Sequence, residues 1–144
     1  NTMNREILFR AKTVNSGEWV EGITIAKGTI KRKANDLFME ISENKWVGIV
    51  PETLSQFTGA NDKNDIRIFE NHIVKYQIQL ESNDPNEIGG EVLECNHKVI
   101  FNLHGCGFEI SCIDYATMNQ GLYCNRHMEI VGNIFDNPEM LGSF

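Results

Sequence analysis

The side chains best suited to chemistry gather in the last third of the chain. Cys95-Asn96-His97 is followed by His104-Gly105-Cys106, then Cys112, then Cys124-Asn125-Arg126-His127. Thiolates and imidazoles are the usual ligands of tetrahedral zinc. In a strand Cys95 and His97 would share a face, and so could reach one ion. Cys124 and His127 have a usable ligand spacing as well. Against a metal, the run holds no paired CxxC knuckles, and its gaps match no common zinc module. Unligated cysteine and histidine is the favoured reading, and a zinc-binding enzyme is the lesser alternative; no metal and no cofactor is expected. Four cysteines would also make two disulfides, but nothing else points to secretion, so reduced and mostly buried thiols are expected.

Other chemistries leave less trace. Neither GxxxxGK[ST] nor GxGxxG occurs, and Gly105-Cys106-Gly107 reads as a tight hairpin turn. There is no GxSxG elbow. A cysteine nucleophile would meet its histidine only in space, and Cys112 alternates with Phe108 and Ile110 as a core thiol would. Acidic residues are numerous, yet no pattern draws two carboxylates into one pocket. Trp19 and Trp46 lie in strand-like runs, where packing explains them better than base stacking. No catalytic residue is expected.

The elements that must position these residues are mostly strands. Val74, Tyr76, Ile78 and Leu80 alternate with Lys75, Gln77, Gln79 and Glu81, which is the period of a strand with one wet face. FEISC (108–112) repeats the pattern, and EILFRA (6–11), WVEGITI (19–25), LFMEIS (37–42), KVIFNL (98–103) and MEIVGNIF (128–135) read as further strands. Gly132 marks a bulge or a close approach in the last of these. NSGE, AKGT, SNDPN, IGG and HGCG divide the strands as turns. Helix is scarce: PETLSQF (51–57) could form one or two turns, and DYATMN (114–119) another short piece. The run GANDKND (59–65) lacks large apolar residues and forms a seam between an N-terminal β element over 1–60 and a barrel-like unit over 61–144. The fold class is mainly β with few short helices.

Composition narrows the function classes. A chain of 144 residues can bury a core without metal or disulfide. Its 13 basic and 20 acidic residues give a net charge of −7, which opposes sequence-blind binding to nucleic acid. Lys27, Lys31, Arg32 and Lys33 form a small basic cluster, read as a solvated hairpin flank. No apolar run approaches a membrane span, so no membrane partner is expected. Met3 reads as the natural start, and the first residues lack the layout of a secretory signal, so a cytoplasmic location is expected.

Five blocks, in order along the chain, carry a family resemblance. They are REILFRAK (5–12), Trp19-Val20-Glu21-Gly22, the segment Val50-Pro51-Glu52-Thr53 with Gln56-Phe57-Thr58-Gly59, DKNDIRIFENHIV (62–74) and EIVGNIFDNPEM (129–140). Together they resemble the YopX family, small proteins of phages and prophages. Two positions depart from that pattern: Asn64-Asp65 replaces an Asn-Gly turn, and His72 replaces an acidic residue after Glu70-Asn71. The resemblance implies an SH3-like β-barrel in the C-terminal part and brings no established activity.

Several expectations follow. Thr58 and Gly59 end a helical turn, Asp62 to Asp65 reverse the chain, and His72 caps a turn before its strand. Asn137-Pro138 ends the last strand. The stretch from 56 to 74 joins the two parts and offers a contact surface of Gln56, Phe57, Thr58, Asp62, Lys63, Glu70 and His72. The expected function is that of a non-enzymatic phage or prophage accessory protein, acting as a homo-oligomer or on an unknown host or phage protein through this surface or through open strand edges. The alternative is an acidic module that mimics nucleic acid or binds a nucleic-acid enzyme.

Overall fold

The structure is a computed structural model that describes residues 5–28, 36–79, 84–86, 89–90, 92–111 and 120–141. Antiparallel sheets dominate it, as the alternating sequence pattern requires. The chain forms two compact units, Asn1–Gly59 and Ala60–Phe144.

The first unit holds β1 (Phe9–Lys12), β2 (Trp19–Gly22), β3 (Thr24–Lys27), β4 (Leu37–Ser42), β5 (Lys45–Ile49) and the start of β6 (Ser55–Asn61). β1 pairs with β2 on one side and with the first residues of β6 on the other. β3, β4 and β5 form a separate meander. Ala11, Met39 and Ile49 are fully buried between these layers, with Phe9, Val20, Ile25, Leu37 and Val47 packed around them. On the face of β1 opposite Ala11, the guanidinium of half-buried Arg10 lies 4.0 Å from the centre of the Trp19 ring. A contact of this kind contributes roughly 0.5–1 kcal/mol when exposed, less than the ~1.5–3 kcal/mol from burying one Met39-sized side chain, so the apolar seam dominates.

WVEGITI is two strands rather than one. The chain bends at Ile23, so β2 stays with β1 while β3 joins β4. Gly22 makes this corner possible. A Cβ there would sit 2.5 Å from the Glu40 carbonyl oxygen and 2.9 Å from Met39 Cγ. Any side chain would push the two layers apart.

PETLSQF is also mostly strand. A single 3-10 turn covers Pro51–Thr53, and β6 then begins at Ser55. Thr53 holds this short turn: its hydroxyl donates to the Val50 carbonyl at 2.7 Å and accepts the Lys12 N–H at 2.9 Å. Ser55 and Phe57 then alternate inward, and strand pairing with β1 outweighs the helical start offered by Pro51. Thr58 and Gly59 therefore lie inside β6, where Gly59 has φ +90°, and do not close a helix.

The second unit holds the end of β6 and β7 (Arg67–Phe69), β8 (His72–Gln79), β9 (Val92–Asn102), β10 (Gly107–Ser111), β11 (Gln120–Gly121) and β12 (Glu129–Asn133). Its five-stranded sheet has the order β11-β10-β9-β8-β12. Among the described residues no ladder joins β11 to β12, and no closed barrel is found. Val99 of β9 lies opposite Ile110 of β10, and Val74 of β8 lies opposite His97, on the same face of the sheet. Ile68 and Met128 complete that core at 0% exposure. The Val74–Tyr76 column and the Phe108–Ile110 column run as the alternation implied; Leu80, Cys112 and DYATMN lie outside the described residues.

β12 carries the bulge expected at Gly132, since its register against β8 shifts between Ile130 and Gly132. A Cβ on Gly132 would lie 2.6 Å from Asn137 Oδ1. The strand ends earlier than Asn137-Pro138. Asn133 Oδ1 accepts the N–H groups of Phe135 at 3.0 Å and Asp136 at 2.9 Å, an Asx turn that reverses the chain before the proline is reached. Two 3-10 segments not expected from the sequence, Leu122–His127 and Pro138–Leu141, flank this strand.

Candidate functional site

The stretch from 56 to 76 is built around one carboxylate. Asp62 is fully buried. Its Oδ1 accepts the N–H groups of Asn64 at 2.9 Å and Ile66 at 3.0 Å, and its Oδ2 accepts that of Ile130 at 3.0 Å. A carboxylate that collects backbone donors is the natural centre of such a turn. Asp65 takes the left-handed position with φ 65°, a conformation that glycine adopts more readily. The Lys63 N–H adds a bond to the Met128 carbonyl at 2.9 Å, and the Asn125 side-chain amide donates to the Asn61 carbonyl. A strand points the carbonyl of residue i and the N–H of residue i+2 to one side, so Met128 and Ile130 offer both groups at the outer edge of β12. The 62–66 turn occupies that edge.

His72 caps the next turn. Its Nδ1 accepts the Phe69 N–H at 2.9 Å, and its ring meets Phe69 edge-on at 5.9 Å. Asn71, at φ 70°, donates its N–H to the Val99 carbonyl and accepts from Ile134. An acidic residue at 72 would offer an acceptor to the same N–H. Of the seven residues expected to form a contact surface, Phe57, Asp62 and His72 are buried, Gln56, Thr58 and Glu70 are half-buried, and Lys63 is exposed. The stretch folds inward more than it presents outward.

The cysteines and histidines are dispersed. His97 is 1% exposed in the core of the second unit, edge-on to Tyr76 at 6.2 Å, and neither ring nitrogen makes a well-formed hydrogen bond among the described residues. Burial pushes its pKa below the ordinary histidine value, with a smaller opposing effect from the Tyr76 backbone. Cys95, two positions earlier on the same strand, is half-buried. Cys106 is exposed at φ 52°, with its thiol directed to the Leu103 carbonyl, and His104 and His127 are exposed. Cys112 and the Cys124 side chain lie outside the described residues. Among the described residues no three His, Cys, Asp or Glu side chains are grouped as a metal would require.

A charged groove of about 380 Å³ lies over β8, β9 and the Arg126–Glu129 segment of the second unit. Lys75 Nζ approaches Glu94 Oε1 at 3.4 Å, and Gln77 Nε2 donates to Glu94 Oε2 at 3.0 Å. The Gln77 bond and then the Lys75 charge hold the Glu94 carboxyl below its usual range. Lys63 Nζ lies 3.3 Å from Glu129 Oε2. Arg126 Nη1 lies 3.4 Å from Asp65 Oδ1, whose pKa is lowered first by the Asn61 amide and then by this arginine. Of this cluster the sequence singled out Lys63 for contact, Asp65 for the turn and His127 as a possible ligand. The others come together only through the cross-strand pairings Lys75–Glu129 and Gln77–Glu94.

Comparison with known proteins places the chain. No helix among the described residues is long and apolar enough to cross a membrane. No curated protein matches. The crystal structure of protein EF1440 from Enterococcus faecalis is similar in fold, with a TM-score of 0.52 at 19% identity over 96% of this chain and 99% of that one. A family model described as YopX protein matches residues 8–142. That match covers nearly the whole length and includes the corner at Gly22, the Asp62 turn and the Gly132 bulge, and the chain belongs to the YopX family.

Proposed function

We propose that this chain is an accessory protein of phage or prophage type, working in the cytoplasm of a bacterial host by protein contacts and without catalysis, as a homo-oligomer. Two polar residues of the expected contact surface have structural employment: Asp62 organises a turn and His72 caps one. The observation that carries the contact reading is the contrast between two strand edges. The 62–66 turn occupies the outer edge of β12. β3 is different. The Gly28 N–H donates to the Asp36 carbonyl at 2.7 Å, extending the β3–β4 ladder. Hydrogen-bonded and non-bonded pairs alternate in such a ladder, so the backbone groups of Ile25 and Lys27 point away from β4. Thr24, Ala26 and Lys27 are exposed there, and the adjacent Ile23 is 68% exposed. Among the described residues no strand pairs with that edge, and an edge left so accepts a further strand.

Native mass spectrometry of the full chain tests the proposal, with Lys27→Pro as the variant. Proline at 27 removes an outward N–H and leaves the bonds to β4 in place. The wild type is expected as one defined oligomer and the variant as a smaller species with unchanged far-ultraviolet circular dichroism. A monomeric wild type would overturn the proposal, and capture of a basic nucleic-acid enzyme by that monomer would favour the acidic mimic.

A further inference from the structure

We infer that a second cleft, in the first unit, is a binding site for a small amphipathic amine, with a flat apolar body ending in one cationic group. None of the β3 residues proposed above for strand pairing lines it. Its floor is a glycine that the strand itself does not need. Gly48 is the fourth of five residues in β5. A glycine inside a strand weakens it, and commonly marks a place where another backbone or a ligand comes close. Gly22 and Gly132 are explained by close neighbours, since a Cβ there would stand 2.5 Å from the Glu40 carbonyl oxygen and 2.6 Å from Asn137 Oδ1. Gly48 has no such neighbour. Its φ lies outside the left-handed region, and an added Cβ would meet nothing nearer than Phe38 Cε1 and Val14 Cγ2, each at 3.8 Å. Those are ordinary van der Waals distances. Among the described residues no contact requires a glycine at 48, and its missing side chain leaves a space between two apolar walls.

The backbone holds those walls in place. Phe38 lies opposite Gly48 in the β4–β5 ladder. On the other side the Val14 N–H donates to the Gly48 carbonyl at 3.0 Å, next to the bridge between Thr13 and Ile49, so residue 14 runs along the outer edge of β5. Val14 stays 63% exposed, with its side chain uncovered beside the cleft. The cleft has a volume of about 520 Å³, within the range of roughly 300–1,000 Å³ usual for small-molecule sites. Its lining is mostly apolar, and its polar residues are Asn15 and Asp36, both exposed. Among the described lining residues Asp36 carries the only charge, and no cation of the lining balances it. A ligand that matches both features lays an apolar body on Gly48 between Val14 and Phe38 and turns a cation towards Asp36. An anion of the same shape would meet that carboxylate on a chain of net charge −7.

Amide chemical-shift titration of the full chain with 2-phenylethylamine, at neutral pH and about 0.1 M salt, provides the test. Saturable shifts are expected at Val14, Asn15, Asp36, Phe38 and Gly48, a result that needs no variant to fold. Neutral 2-phenylethanol should bind about threefold more weakly, the scale of an exposed ion pair, and Asp36→Asn should erase that preference. Gly48→Ala should melt no lower than the wild type, because its Cβ meets only ordinary contacts. Gly48→Leu, whose side chain fills the cleft, should weaken binding by about tenfold or more. Absence of saturable shifts, shifts scattered over the surface, or undiminished binding in Gly48→Leu would overturn the site. A lower melting temperature for Gly48→Ala would return the glycine to a packing role and overturn it as the floor of a site. Equal binding of the amine and the alcohol would overturn the cationic ligand. Movement of the same amide signals on dilution of the free protein would give the cleft to a second copy of this chain and overturn the small molecule as its occupant.

Discussion

The backbone N–H of Ile130 donates to Asp62 Oδ2 at 3.0 Å across a separation of 68 residues. This single bond ties the turn between β6 and β7 to the last strand of the sheet. It turns a local chain reversal into an edge cover.

Asp62→Ala removes the acceptor from three backbone N–H groups at once. Burying donors without partners costs about 1–3 kcal/mol each, partly recovered where water enters, so a net loss of roughly 3 kcal/mol is expected. Asp62→Asn retains one acceptor oxygen and should lose about half as much. Urea denaturation of the three proteins checks the order. Equal stabilities would show that the turn holds without its carboxylate.

Gly22→Ala should destabilise the first unit by about 1–3 kcal/mol, the range for overpacking a tight contact. The obstacle is the Glu40 carbonyl oxygen, 2.5 Å from the added carbon, and backbone cannot step aside as a flexible side chain would. Gly17→Ala is the control. Gly17 has φ +70° and nothing within 4 Å, so only the backbone conformation is charged against it, about 1 kcal/mol. Thermal melts in which Gly22→Ala is no worse than Gly17→Ala would remove the steric account of the corner.

His97 makes stability depend on pH in a defined direction. Its folded pKa is lowered by burial, so the unfolded chain takes up the proton first. The contribution is complete above about pH 6.5, the ordinary histidine value, and is lost as pH falls below it, at up to ~1.4 kcal/mol per pH unit. Asp65 and Glu94 are also held below their ordinary carboxylate values, Asp65 by Asn61 and Arg126 and Glu94 by Gln77 and Lys75, and both are open to solvent. They fall outside the histidine window. Urea midpoints between pH 7.5 and 5.5 should fall steeply in the wild type and more gently in His97→Leu. Parallel slopes would assign the pH dependence elsewhere.

Much of this fold was legible in period-two alternation. LFMEIS is β4 to the residue, and the β8 and β10 columns face the core as their spacing implied. Two segments were misread for one reason: their local pattern was sound and their partner was distant. WVEGITI alternates well enough to be one strand, and only the nearness of the Glu40 backbone to Gly22 shows why it must turn. PETLSQF has a good helix start, but Ser55 and Gln56 lie opposite Arg10 and Phe9, and the ladder takes them. The turn role of His72 was legible because a turn cap acts over three residues. The burial of His97 and Asp62 was not, since each depends on strands far away in sequence. The groove was the least legible feature: its lysines, arginine and glutamates are ordinary surface residues until cross-strand register sets them side by side.

The boundary between the two compact units falls at Gly59, inside β6, which pairs with β1 at its beginning and with β7 at its end. One strand thus belongs to both halves. A protease cutting between residues 59 and 60, or a recombination event joining halves of two relatives there, would leave each fragment with an incomplete strand. Expression of either unit alone would therefore have to supply the missing part of β6.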